Sequence, residues 1–225
     1  MENFIHNFLN LDVYIQVFPY LLQGLWATVW LSALVIPLGL AAGLVLALGM
    51  TQFNSRILRL VIVVYVDFFR AFPPLVLLIL IYFGGPFMGL ELNKLAAVAL
   101  AFVLNNASYY AEVFRAGLQG VAVGQMEAAR STGLTRWQAL QSVVIPQAIK
   151  NVIPDLVGNS IEVVKLTSIA SVVGLPELLR AARDAQSLIY NPSPVVLAAL
   201  MYLALLWPLT RLLGRLEHRR ATHAR

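Results

Sequence analysis

From Leu21 to Leu48 the only polar interruptions are Gln23, Thr28 and Ser32. A helix needs about 20 apolar residues to cross the hydrocarbon core of a bilayer. Inside lipid, every backbone N–H and C=O must be satisfied within the spanning structure, so a run of this length commits the chain to a helix. Four more runs of the same kind follow, at about 57–83, 95–114, 149–173 and 194–213. The fourth holds Asp155, Asn159, Glu162 and Lys165, a pattern that also suits an amphipathic helix outside the membrane. The chain is 60% hydrophobic and only 12% charged, with a mean hydropathy of +0.77. Soluble domains carry about 25% charged residues. Residues 1–225 therefore read as a single all-α transmembrane domain of five helices. No internal repeat and no soluble domain is visible.

The charge pattern sets an orientation. Arg56 and Arg59 flank the first link; Arg115, Arg130, Arg136 and Lys150 flank the third. Arg211, Arg215, Arg219, Arg220 and Arg225 follow the last span. The opposite side has Lys94, Arg180 and Arg183. The basic-rich side belongs in the cytoplasm, which places the N-terminus outside and the C-terminus inside. The net charge of +5 is thus explained by topology, and no run of interleaved basic and aromatic residues points to nucleic acid. Links two and four are rich in Gly, Pro and Asn and read as turns, the latter with room for a short surface helix. The first residues, MENFIHNFLNLDVY, lack the basic start and cleavage site of a removable signal peptide.

Three spans each place an acid three residues before a base: Asp67 and Arg70, Glu112 and Arg115, Glu162 and Lys165. Residues three apart share a helix face, so each pair can neutralise itself. A lone charge at the bilayer centre costs at least about 2.5 kcal/mol. At about 1.5 Å per residue, Asp67 lies roughly 15 Å into its span, and Glu162 at a similar depth. Two readings suit these groups: a polar surface facing a translocation path, or charges that pair between helices. The second is favoured for Glu112 and Arg115; both stay open for Asp67 and Glu162. Thr167, Ser168 and Ser171 add hydroxyls beyond Lys165. Asn105, Asn106 and Ser108 should face the bundle interior, bonding a solute or another helix. Pro73 and Pro74 interrupt the ladder of span two and kink it. Gly24, Thr28 and Ser32 make a small-residue stripe for close helix contact.

Catalytic motifs are lacking. Cysteine is absent, which removes disulfides, thiolate metal sites and Cys nucleophiles. There is no GxxxxGK[ST] loop, no HExxH and no GxSxG, and the three histidines, His6, His218 and His223, lie in the terminal segments. The chain is expected to be no enzyme and to hold no cofactor or metal.

Between spans three and four lies a polar insert, at about residues 120–146, whose core reads EAARSTGLTRWQALQSVVIP. Its pattern is Glu127, Ala128, Ala129, three residues, Gly133, nine residues, Val143, one residue, Ile145, Pro146. It resembles the EAA loop of permease subunits of bacterial ATP-binding-cassette importers, with Val143 for Ile and Ile145 for Leu. YVDFFRAFPPLVLLILIYFG from Tyr65, NNASYYAEVFRAGLQGVAVGQMEAAR from Asn105 and PQAIKNVIPDLVGNSIEVVKLTSIASVVGLPEL from Pro146 resemble the branch that carries polar amino acids. That branch includes permeases for histidine, glutamine, arginine and acidic amino acids. Gly158 stands where that branch has Asn, with Asn159 one residue later, and Leu166 replaces the Asp or Asn after the lysine. Lys165 must then find another partner, and Glu162 is in reach.

The resemblance implies a type I importer permease fold in a bacterial inner membrane. Two permease subunits, identical or homologous, would form the path. Two separate ATPase subunits would hold the ATP and Mg, and a periplasmic or lipid-anchored binding protein would deliver the solute. Glu127, Ala128, Ala129, Gly133 and Pro146 would carry coupling to the ATPase. Asp67, Arg70, Asn105, Glu162, Lys165 and Ser168 are the candidates for lining the path. The competing readings are a self-contained channel or ion-coupled carrier using the intramembrane acids, and an embedded enzyme.

Overall fold

The computed structural model describes residues 8–223, with side chains up to residue 218. His6 and Arg225, named above, lie outside the described residues. Among those described, every regular element is helical. Helix α1 runs from Leu11 to Gln52, 42 residues, and starts where Asn10 Oδ1 accepts the N–H groups of Asp12 and Val13. Helix α2 (Arg56–Ala71) is capped by Ser55 and α4 (Lys94–Gln119) by Asn93. Between them lie α3 (Pro74–Ile79), a π turn (Leu80–Gly84) and a 3₁₀ turn (Gly85–Met88). Next come α5 (Val123–Ser131), α6 (Arg136–Ala139), a π turn (Leu140–Val144), α7 (Ile145–Leu166) and a 3₁₀ turn (Thr167–Val173). Helices α8 (Leu178–Ile189) and α9 (Ser193–His223) complete the chain.

Among the described residues, three helical runs are long and apolar enough to cross a membrane: Leu11–Gln52, Arg136–Val173 and Ser193–His218. A fourth is added if Arg56–Ala71 and Pro74–Met88 count as one span bent by 101°. The proline pair explains the bend. A residue before proline is pushed into extended backbone. Phe72 and Pro73 both precede a proline and both are extended, with ψ of 127° and 125°. Two successive extended residues turn the chain, so the stretch 57–83 is two helices rather than one. The helix expected from Leu21 already begins at Leu11. Val13, Val17 and Leu21 continue its buried stripe against α8 and α9.

Helix α4 carries Asn105, Asn106, Glu112 and Arg115 and is not among the apolar runs, yet it sits at the centre of the bundle against α1, α2, α3 and α7. The links 52–56 and 119–145 lie at one end of the bundle, called here the Gln119 end. The links 84–94 and 174–193 lie at the other, the Lys94 end, where Lys94 Nζ donates to the Gly174 carbonyl at 3.2 Å. The small-residue stripe of α1 packs closely, and its partner is α8. A Cβ at Gly24 would meet Ala181 Cβ at 2.9 Å, and the Leu178 N–H donates to Thr28 Oγ1 at 3.2 Å.

Candidate functional site

The proline break in α2 leaves two carbonyls without their helical partners. Phe69 and Arg70 would normally bond the N–H groups of residues 73 and 74, and both are prolines. Side chains from α4 fill the gap. Asn105 Nδ2 donates to the Phe69 carbonyl at 2.7 Å, and the Tyr109 hydroxyl donates to the Arg70 carbonyl at 3.3 Å. Asn105 and Tyr109 are four residues apart and so share one face of α4. Asn105 is thus bonded to a neighbouring helix. The other two members of the polar cluster turn inward on α4 itself: Asn106 Nδ2 donates to the Phe102 carbonyl and Ser108 Oγ to the Asn105 carbonyl.

Across from this face, α7 and the turn after it present Asn159, Glu162, Lys165 and Ser168. In an α-helix each step of three residues slips by about 60°. The 3₁₀ turn from Thr167 has three residues per turn and so slows that drift at Ser168. Together with Asn105 and Tyr109, these residues line a cavity of about 410 Å³. Lys165 Nζ donates to Glu162 Oε1 at 2.6 Å, the i,i+3 pair expected from the sequence. Their side chains are 48% and 65% exposed, so the pair lies open and contributes little stability. Behind this lining, the Asn159 amide lies beside the Tyr110 hydroxyl, which also bonds Ser160 Oγ at 2.9 Å.

The loop between α4 and α6 forms a second surface. Glu127 and Ala128 of α5 are exposed, whereas Ala129 is buried. Met126 packs into the cluster of Phe114, Leu118, Leu140 and Val144. Helix α5 ends where Thr132 Oγ1 donates to the Ala129 carbonyl at 2.8 Å and Gly133 takes φ +93°. No atom lies within 4 Å of a Cβ built at Gly133, so its requirement is backbone conformation, not space. Thr135 and Gln138 then form a capping box that starts α6. Two tethers fix the loop. Arg136 Nη2 donates to the Gln52 carbonyl at 3.0 Å, and Gln147 Nε2 donates to Gln125 Oε1 at 3.2 Å. Pro146 has no N–H for the carbonyl four residues back, and the helix passes just ahead of it as a π turn.

Residues 15–222 match the family described as binding-protein-dependent transport system inner membrane component. The chain belongs to this family. Its permease fold recurs in a solved structure titled "Crystal structure of an amino acid ABC transporter with histidines", at 36% identity and a TM-score of 0.81, over 91% of this chain and 96% of that one. The "Probable amino-acid ABC transporter permease protein YckA" of Bacillus subtilis is 34% identical over 77% of this chain and 76% of its own length. The "Arginine transport system permease protein ArtQ" of the same organism is 32% identical over 90% of this chain and 94% of its own.

In this permease, four of the six path candidates meet at one cavity: Asn105, Glu162, Lys165 and Ser168. Arg70 lies beside it, its guanidinium 5.6 Å from the centre of the Tyr109 ring. Asp67 does not line it, and no ion pair joins Asp67 to Arg70 among the described residues. Arg70 sits in the last turn of α2, where its guanidinium lies against the Tyr109 ring. Tyr109 was missed, although its spacing from Asn105 was a usable signal. Ala129 turns into the permease, so it seats α5, and Ala128 is the alanine that faces outward.

Proposed function

We propose that this chain is the membrane-spanning permease subunit through which an ABC importer moves polar amino acids into the cell. The observation that carries the reading is the cavity of about 410 Å³ between α4 and α7, where a carboxylate, an ammonium, amides and a hydroxyl converge. An α-amino acid presents a carboxylate and an ammonium, and this set offers a partner to each. The names of the relatives and the permease fold support this reading and lend nothing to the self-contained carrier.

In this reading the chain crosses the inner membrane five times: α1, the bent pair α2–α3, α4, the run from α6 through α7, and α9. The N-terminus faces outward and the Gln119 end faces the cytoplasm. A second permease subunit completes the path, and a binding protein delivers solute at the Lys94 end. ATP and Mg are held by two separate ATPase subunits, so the chain itself has no enzymatic activity and no cofactor. Helix α5, with Glu127 and Ala128 exposed and both flanks tethered, is the segment that seats in the ATPase.

The test is co-purification with the ATPase subunit of the importer. The unaltered chain is expected to hold the ATPase. A double variant, Glu127→Arg with Gly133→Pro, is expected to insert normally and to lose at least nine-tenths of it, on the order of 1.4 kcal/mol or more of binding. Equal retention by both chains would mean that α5 is not the coupling helix.

A further inference from the structure

Two cavities lie along the same face of α4. The first, described above, reaches Tyr109. The second, of about 700 Å³, opens at the Gln119 end and is lined by Glu112, Arg115 and Gln119 of α4, and by Arg59 and Val63 of α2. Asn105, Tyr109, Glu112, Arg115 and Gln119 recur at steps of four, three, three and four residues. That spacing is one face of a helix. The cavities are therefore successive chambers along a single polar stripe.

The boundary between them is marked by one contact. The Arg70 guanidinium lies over the Tyr109 ring, 5.6 Å from its centre, and the Tyr109 hydroxyl holds the Arg70 carbonyl that Pro74 cannot serve. Tyr109 belongs to the first chamber, and Glu112, one turn further along α4, belongs to the second. Arg70 also lies within electrostatic reach of Glu112. A cation over an aromatic face is attracted by the ring quadrupole, so the pair holds itself together and still parts without breaking a covalent or buried ion-pair link.

Resting on the proposed function, we infer that Arg70 and Tyr109 form the barrier that separates the solute chamber from the chamber at the Gln119 end. The hydroxyl fixes the end of α2, and the fixed helix end presents the guanidinium to the ring. A solute passes from one chamber to the next only when this contact opens.

This chain has no native cysteine, so label on it reports the introduced one alone. Single variants Ser168→Cys, in the first chamber, and Gln119→Cys, in the second, are made in the complete transporter in membrane vesicles. Each is exposed to a membrane-impermeant maleimide from either face. Expected is rapid labelling of Gln119→Cys from the Gln119 face and protection of Ser168→Cys from that face. Adding Tyr109→Ala should expose Ser168→Cys to the same face, with at least a tenfold rise in labelling rate. Tyr109→Phe keeps the ring but loses the hydroxyl, and should give a smaller rise. If Tyr109→Ala does not assemble, Arg70→Gln removes the cation and should open the same route. Ser168→Cys labelled from the Gln119 face in the otherwise unaltered chain would overturn the barrier and leave the path reading standing. Protection that persists in both Tyr109→Ala and Arg70→Gln would also overturn it. If neither cysteine is reached from either face in any background, the path reading falls with it.

Discussion

Gly43→Leu is expected to abolish assembled protein, and Gly43→Ala to lower its stability by about 3 kcal/mol. The reason is the crossing of α1 and α4. A Cβ built at Gly43 lies 2.5 Å from Tyr110 Cβ, 2.9 Å from the Ala111 nitrogen and 3.0 Å from the Tyr110 carbonyl carbon. Two of these atoms are backbone, so no rotamer change relieves the contact and one helix must move. Overpacking a close-packed interior costs about 1–3 kcal/mol, occasionally more. Here the cost falls on the helix that carries Asn105 and Tyr109, and a shift there also disturbs the capped end of α2. Gly214 serves as the control, since nothing lies within 4 Å of its Cβ. Gly214→Ala should be neutral or slightly stabilising, by less than about 1 kcal/mol, because alanine is the better helix former. Thermal unfolding in detergent, with the yield of membrane-inserted chain, separates the variants. Equal melting of Gly43→Ala and the unaltered chain would show that the crossing is looser than the structure has it.

Glu177→Ala is the second variant with a large expected effect. Glu177 is fully buried. Its Oε1 accepts the Arg180 N–H at 2.7 Å, and its Oε2 accepts the Leu179 N–H and the Tyr202 hydroxyl, each at 2.8 Å. One carboxylate thereby caps α8 and ties it to α9, while the adjacent Leu178 N–H ties α8 to Thr28 of α1. Truncation strips the cap from the N-terminus of α8 and removes the carboxylate that holds the Tyr202 hydroxyl, which amounts to about 3 kcal/mol from a lost cap, a stranded donor and a lost charged hydrogen bond. Burial pushes the Glu177 carboxyl above the usual carboxylate range, and the hydrogen bonds from Leu179, Arg180 and Tyr202 offset this only in part. A carboxyl with a raised value in the folded state holds its proton more tightly there than in the unfolded chain. Its contribution is therefore full below the unfolded value of about 4.3 and fades as pH rises through the folded one. Glu177→Gln cannot titrate. Melting curves taken upward from about pH 4 should show a declining contribution in the unaltered chain that the Gln variant lacks; parallel curves would contradict it.

The features written locally were the ones legible from sequence. The long apolar runs of α1 and α9 need no tertiary information, because the bilayer itself is the partner. The pairs Glu112–Arg115 and Glu162–Lys165 close at 2.7 and 2.6 Å as helical spacing requires. Asp67 and Arg70 have the same spacing, but Arg70 stands at a helix end beside an aromatic ring, and the ring takes it. The proline pair announced a kink. Its size of 101° follows from two consecutive extended residues. Asn105 and Tyr109 could be assigned to the orphaned carbonyls only once α4 was known to lie against α2. Glu177 went unread for a related reason. It sits in a link that reads as a turn, and its burial is created by α1 and α9, which are distant in sequence.

The length of α1 has a mechanical consequence. Part-way along it, Thr28 accepts the N–H of Leu178; at its C-terminal end, the Gln52 carbonyl accepts Arg136 beside the α5 loop. Between these two attachments lie about 36 Å of helix at about 1.5 Å per residue. The helix runs unbroken across this stretch, although Pro37 within it has no N–H for the ladder, and it works as a lever. A tilt of about 5° pivoting at Thr28 sweeps Gln52 through about 3 Å, the scale of a lost hydrogen bond. Any force that moves the α5 loop is thereby felt at α8, toward the Lys94 end of the bundle, through one element and without a relay of separate contacts.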